Sequence, residues 1–159
     1  MPKIAHIDLL PKKTVGTACV IENDKGEILL IKPTMLDGWL VPGGPLRDFE
    51  SPKSGCIRKV KEEIGIDIVE PKLIGVSHSL RRSDEGNRYE SLHLIFHGGK
   101  ITEEQAKEIS LAEKSFEKWQ WFEKKEAETS LSYPLNERVK RSLKTDANSP
   151  VAYIELVQE

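Results

Sequence analysis

At 159 residues, with 31% charged and 38% hydrophobic side chains, the chain is sized as one domain that buries a core without disulfides or a structural metal. Its net charge of −2, with both signs interspersed and no basic block, argues against stable nucleic-acid binding. No stretch nears the ~18 apolar residues of a membrane span and the first residues carry no leader pattern, so no membrane contact and a cytoplasmic location are expected.

In chain order, residues 14–21 (TVGTACVI) read as a buried strand. Asn23-Asp24-Lys25-Gly26 is a turn signal, and residues 27–31 (EILLI) complete a hairpin. Residues 39–41 form a short strand that ends at Pro42-Gly43-Gly44, where adjacent glycines let the backbone approach a ligand. Ser51 as N-cap and Pro52 at the first helical position start a helix that runs to Ile64, with Gly65 as its stop. Residues 68–79 and 89–97 are strand-rich, the polar segment 81–87 is the turn between them, and Gly98-Gly99 breaks the second strand. Thr102 and Gln105 have capping-box spacing. Residues 118–122 (KWQWF) alternate as a strand. A last helix spans 134–143, with Leu135, Val139 and Leu143 on one face. The tail, 144–159, adds an edge strand at 151–157 or stays loose.

This order implies one mixed sheet with helices on its faces, either α/β or α+β, with its core over about 14–143. The two cysteines, Cys19 and Cys56, match no zinc spacing and read as reduced, buried apolar residues.

The helix after Ser51 carries the chemistry. At 100° per residue, Ile57, Val60 and Ile64 fall within about 60° and make an apolar stripe, while Lys59, Glu62 and Glu63 span about 100° on another face. Arg58 and Glu62 are four apart and can pair. Taken alone, such a face is a solvated one with intrahelical ion pairs. The spacing of the whole segment 44–66 says more. Gly44, Glu50, Arg58, Val60, Glu62, Glu63, Gly65 and Ile66 match eight of the nine defined positions of G-x5-E-x7-R-E-U-x-E-E-x-G-U, where U is a large aliphatic residue. That pattern resembles the signature of the Nudix hydrolases. The departure is Lys59, where the family has a glutamate.

The resemblance implies an α/β fold of α/β/α sandwich form with a mixed sheet. It also implies metal-dependent hydrolysis of the pyrophosphate in a nucleoside diphosphate linked to another moiety. Magnesium or manganese, held by hard oxygen ligands, offsets the substrate's charge and activates water. By resemblance Glu62 and Glu63 are metal ligands, with the Gly43 backbone carbonyl. Arg58 orients carboxylates and Glu50 holds Arg58. The family glutamate at the Lys59 position is a metal ligand or the base. Either a later acid replaces it, from Glu117, Glu113, Glu90 or Asp84, or Lys59 pairs with Glu63, stands in for a cation, and the domain binds a nucleotide or partner without cleaving it. Glu117 is the favoured replacement because Glu117 followed by the 118–122 strand looks like the acid-then-strand element common late in these domains. Gly43, Gly44, Lys59, Arg81 and Arg82 are candidate substrate contacts. The expected partner is a nucleotide-type small molecule, and a homodimer is compatible with the resemblance.

Three further readings weigh against elaboration. Isomerisation of an isoprenoid diphosphate finds no second catalytic constellation. His93 and His97 share a strand face roughly 13 Å apart and cannot share a metal. Trp39, Trp119 and Trp121 read as packing residues, with Trp39 also placed to line a pocket.

Overall fold

A computed structural model of the chain describes residues 5–145, 148 and 150–158, with backbone only at 5 and 6. The elements are α1 (Ala5–Asp8), β1 (Thr14–Glu22), β2 (Ile28–Pro33), β3 (Gly43–Pro45), α2 (Pro52–Ile64), β4 (Lys72–Arg82), β5 (Arg88–Lys100), α3 (Glu103–Ala106), β6 (Phe116–Phe122), α4 (Lys124–Ser130), α5 (Leu135–Ser142) and β7 (Ala152–Gln158). The strands form one mixed sheet in the order β6-β2-β1-β5-β4-β7, with β3 added to β1. The β1–β5 and β4–β7 pairs are parallel and the others antiparallel.

Alternation along the central strands builds the layers. Cys19, Ile21, Leu29 and Ile31 point to one face and pack with Cys56, Val60 and Ile64 of α2. Ala18, Val20, Ile28 and Leu30 point to the other and pack with Ala127 of α4 and Val139 of α5. Helices therefore cover both faces, an α/β/α sandwich. Val60 and Ile64 are fully buried, each contributing about 1.5–3 kcal/mol of apolar burial. Cys19 and Cys56 are free and buried in the α2 layer, where the neighbouring Cys56 thiol and burial push the Cys19 thiol up.

Local chemistry explains most boundaries. In the first hairpin, Asn23 Oδ1 accepts from the N–H groups of Lys25 and Glu27, both at 3.0 Å. Ser51 Oγ caps α2 by accepting from Ser54 N at 3.1 Å, and Gly65, at φ 74°, stops it with its N–H on the Lys61 carbonyl. Thr102 and Gln105 make both capping-box bonds.

Three expectations are corrected, and one helix goes unread. The strand expected from 68 begins at Lys72, immediately after Pro71, which has no N–H for a ladder. Gly98-Gly99 does not break β5, which continues to Lys100. A Cβ at Gly98 would lie 2.7 Å from Cys19 Sγ, so glycine there permits close approach to β1 rather than a stop. Arg81 and Arg82 are not in a turn; they end β4, opposite Tyr89 and Arg88. The helix α4 has no apolar period, burying only Ala127, and so carries no helical signal in the sequence. Of the two alternatives for the tail, the edge strand is the one formed, as β7 along β4.

Candidate active site

The turn through Gly43 and Gly44 is clamped onto β1, with Gly43 opposite Ala18 and Gly44 opposite Thr17. A Cβ at Gly43 would fall 2.2 Å from the Thr17 carbonyl oxygen, so only glycine fits. The turn meets α2 through the Gly43 N–H on Glu63 and the Lys59 stem beside Gly44.

Arg58 organises the mouth of that helix. Its Nε and Nη2 both donate to Glu50, the latter at 2.8 Å, and its Nη1 donates to Glu62 Oε2 at 3.0 Å. Glu50 also accepts from the Arg47 N–H at 2.8 Å. The Arg58 guanidinium, then the Arg47 N–H, hold the Glu50 carboxyl down to about 2, and Glu50 in turn raises Arg58. With its fork committed to two carboxylates, Arg58 positions rather than reacts.

Glu63 is 7% exposed, and its Oε1 accepts from Gly43 N–H at 2.9 Å. Burial pushes its carboxyl up to about 7, against the Gly43 N–H and the Lys59 ammonium, which lower it. Glu62 is more open and is also bridged by Arg47 at 3.0 Å. Partial burial pushes Glu62 up, but Arg58, Lys59 and Arg47 outweigh it and hold it below the usual carboxylate range. Lys59 Nζ stands between the two acids, 3.5 Å from Glu62 Oε2 and 3.7 Å from Glu63 Oε1. Its stem packs so closely on Gly44 that a Cβ there would lie 2.8 Å from Lys59 Cε.

Glu50, Arg58, Lys59, Glu62, Glu63, Gly43 and Gly44 are thus brought together. The later acids are not. Glu117 is exposed on β6 at the edge of the sheet, and Glu113 and Asp84 are exposed. Glu90 pairs with Lys13 and with His78 at 2.7 Å. Among the described residues, no three His, Cys, Asp or Glu side chains converge as a metal site. The oxygen donors of Glu62 and Glu63 suit a hard cation in kind, and the space between them is the space the Lys59 ammonium fills. A divalent ion and that ammonium are alternatives.

A cleft of about 510 Å³ opens on the other side of the Gly43-Gly44 turn, towards α5. Sequence reasoning misses its central residue. Arg138, on α5, is 7% exposed and donates to Ser79 Oγ at 2.8 Å and Ser77 Oγ at 3.3 Å. It has no carboxylate partner among the described residues. Burial lowers Arg138 to about 10, so it stays charged, and burial with Arg138 nearby lowers His93 to about 4, so His93 is neutral. Thr17 lines the cleft, and its buried hydroxyl has no hydrogen-bond partner among the described residues. Arg81 reaches the same cleft, its guanidinium 5.5 Å from the Tyr89 ring centre, whereas Arg82 is exposed at the strand end. The available signal for Arg138 is its place beside Val139 on an amphipathic helix, which does not distinguish it from a solvated arginine. Trp39 packs edge-on to Phe122 at 4.8 Å, and Trp119 and Trp121 pack against the α2-side core. His97 bonds Glu22 at 3.1 Å.

The profile of the NUDIX domain family matches residues 12–145. The uncharacterized Nudix hydrolase YvcI of Bacillus subtilis is 42% identical over 60 residues, 38% of this chain and 37% of that protein, so the match spans well under two thirds of the relative. Among solved structures, a MutT protein from Methanosarcina mazei superposes with a TM-score of 0.64 at 25% identity, over 86% of this chain and 99% of the other. A NUDIX hydrolase from Nitrosomonas europaea superposes with a TM-score of 0.71 at 15% identity, over 94% and 81%, a likeness of fold. No helix among the described residues is long and apolar enough to cross a membrane.

Proposed function

The chain belongs to the NUDIX domain family, and from that premise we propose that it hydrolyses the pyrophosphate bond of a nucleoside diphosphate joined to another group. Water adds across one P–O–P bridge, giving two phosphate monoesters, or a monoester with phosphate or pyrophosphate. The observation that supports this most is the Glu62–Lys59–Glu63 arrangement against the Gly43-Gly44 turn. It joins a buried carboxylate to a cation at a backbone turn that a diphosphate can approach closely.

In this reading Glu63, fixed at Oε1 by Gly43 N–H, has its other oxygen to take the attacking water's proton, and its value of about 7 suits a general base at neutral pH. Lys59 offsets phosphate charge, Gly43 and Gly44 cradle the diphosphate, and Arg81 and Arg82 supply outer contacts. Arg58 and Glu50 hold Glu62 in place. Magnesium or manganese, when bound, would be held by Glu62, Glu63 and the Gly43 carbonyl with Lys59 moved aside, and would supply charge neutralisation and an activated water. The substrate is a small nucleotide-type molecule.

The second reading is a nucleotide-binding or regulatory domain without hydrolysis. It is favoured by the same ion pair, since an ammonium already balances the two acids. Phosphate release from a panel of nucleoside diphosphate derivatives, with magnesium or manganese and a coupling phosphatase, decides between them. Turnover that is lost in Glu63→Gln supports the hydrolase. Silence across the panel from folded protein supports the binding domain.

A further inference from the structure

The cleft around Arg138 has a charge balance that the hydrolytic site does not account for. Burying a guanidinium is costly unless its charge is met, and among the described residues Arg138 donates to two serine hydroxyls and to no carboxylate. Its Nη1 is bonded to no acceptor among the described residues. A second guanidinium, Arg81, shares the cleft, and the acid on the cleft wall, Asp37, is exposed at the rim. The neutral His93 ring on the cleft wall adds a polar group that can bond an oxyanion. The cleft also begins at Gly43 and Gly44, the turn whose N–H bonds Glu63.

We propose that Arg138, with Arg81, forms an oxyanion pocket that holds a phosphate or carboxylate carried by the substrate beyond its scissile diphosphate. The identity of the ligand rests on the reading of the adjacent turn as a diphosphate site; the pocket itself does not. A planar fork with free donors, backed by serines that fix its direction, suits a phosphate or carboxylate better than a neutral base or sugar. The substrate then has two anionic regions, one over the Gly43-Gly44 turn and one against α5.

The test is a titration of the full, metal-free chain with inorganic phosphate, and separately with acetate, followed by NMR at the His93 ring and the Arg138 guanidinium. Saturable shifts at both residues are expected, and whichever ion saturates names the group. Arg138→Lys should weaken that binding by about tenfold or more, the scale of a lost charged hydrogen bond. Arg81→Ala, at an exposed strand end, should weaken it by about threefold and serves if the Arg138 variant does not fold. Glu63→Gln should leave it within about twofold, because Glu63 faces the turn from the other side. Two adenosine diphosphate esters that differ only by that group on the distal moiety, a phosphate if phosphate saturates or a carboxylate if acetate does, should differ by about tenfold in affinity. Shifts that do not saturate, shifts unaffected by both arginine variants, or equal affinity for the two esters would overturn the assignment. Loss of the hydrolase reading with phosphate binding intact leaves the pocket standing, and the converse removes only the pocket.

Discussion

Lys59 Nζ lies 3.7 Å from Glu63 Oε1, so the acidic notch contains a cation that the chain itself supplies. The same ammonium is 3.5 Å from Glu62, and its stem lies against Gly44, which makes the contact part of the turn's packing. Replacing an acid by a lysine on this helix face both removes an oxygen ligand and adds a charge that opposes metal binding.

Lys59→Glu is therefore expected to tighten manganese binding and to raise metal-dependent turnover by about tenfold or more, or about 1.4 kcal/mol of barrier. Manganese titration followed by EPR reads the first effect and coupled phosphate release the second. An intact fold with neither gain would show that Lys59 does not limit the site.

The raised value of Glu63 sets a pH dependence. Its ordinary value is 4.5 and in the fold it is about 7, so the folded state holds the extra proton between those limits. Its contribution is fully present below about 4.5 and is lost as pH rises through about 7. Glu63→Gln, which keeps an acceptor for Gly43 N–H, should gain stability over the parent by roughly 1–3 kcal/mol at pH 8, with little difference at pH 4. Urea unfolding at the two pH values checks this, and an equal difference at both would refute it.

Gly43→Ala should destabilise the fold by about 3 kcal/mol, since its Cβ meets the Thr17 carbonyl and the Ala18 backbone rather than a side chain that can move. The Gly43 N–H to Glu63 bond should be disturbed at the same time, which an amide exchange measurement at residue 43 reads directly.

Ser51→Ala should cost about 1 kcal/mol by removing the cap at Ser54 N. Because Glu50 precedes the cap, the loss should also loosen the Arg58 pair, seen as faster exchange of the Arg58 Nε proton. Unchanged stability would mean that Pro52 and the tertiary contacts hold the first turn by themselves.

For Glu50 the sign is opposite to that for Glu63. Held down to about 2 by Arg58, it contributes stability above about 4.5 that is lost as pH falls towards about 2. Glu50→Gln should lack that acid-side loss, so its stability should be flatter than the parent's between pH 4.5 and pH 2, as followed by circular dichroism.

The helix α2, its cap, its glycine stop and the separation of its apolar stripe from Lys59, Glu62 and Glu63 are all legible in residues 44–66. Each depends on residues within a few positions of one another, where helical period and capping chemistry act directly. The pairing of Glu50 with Arg58 is implied by the resemblance to the Nudix signature, not by helical period, and the structure makes it with Arg58 Nη2 donating to Glu50 at 2.8 Å. What the tertiary structure alone decides is what those residues face. That β5 passes through Gly98-Gly99, that Glu117 lies exposed on an edge strand, and that Arg138 reaches Ser77 and Ser79 and shares a cleft with His93 all follow from how distant segments pair and pack. An arginine on a helix has the same local signature whether solvent or a cleft meets it. Only the approach of α5 to β4 and β5 buries this guanidinium with no carboxylate partner among the described residues.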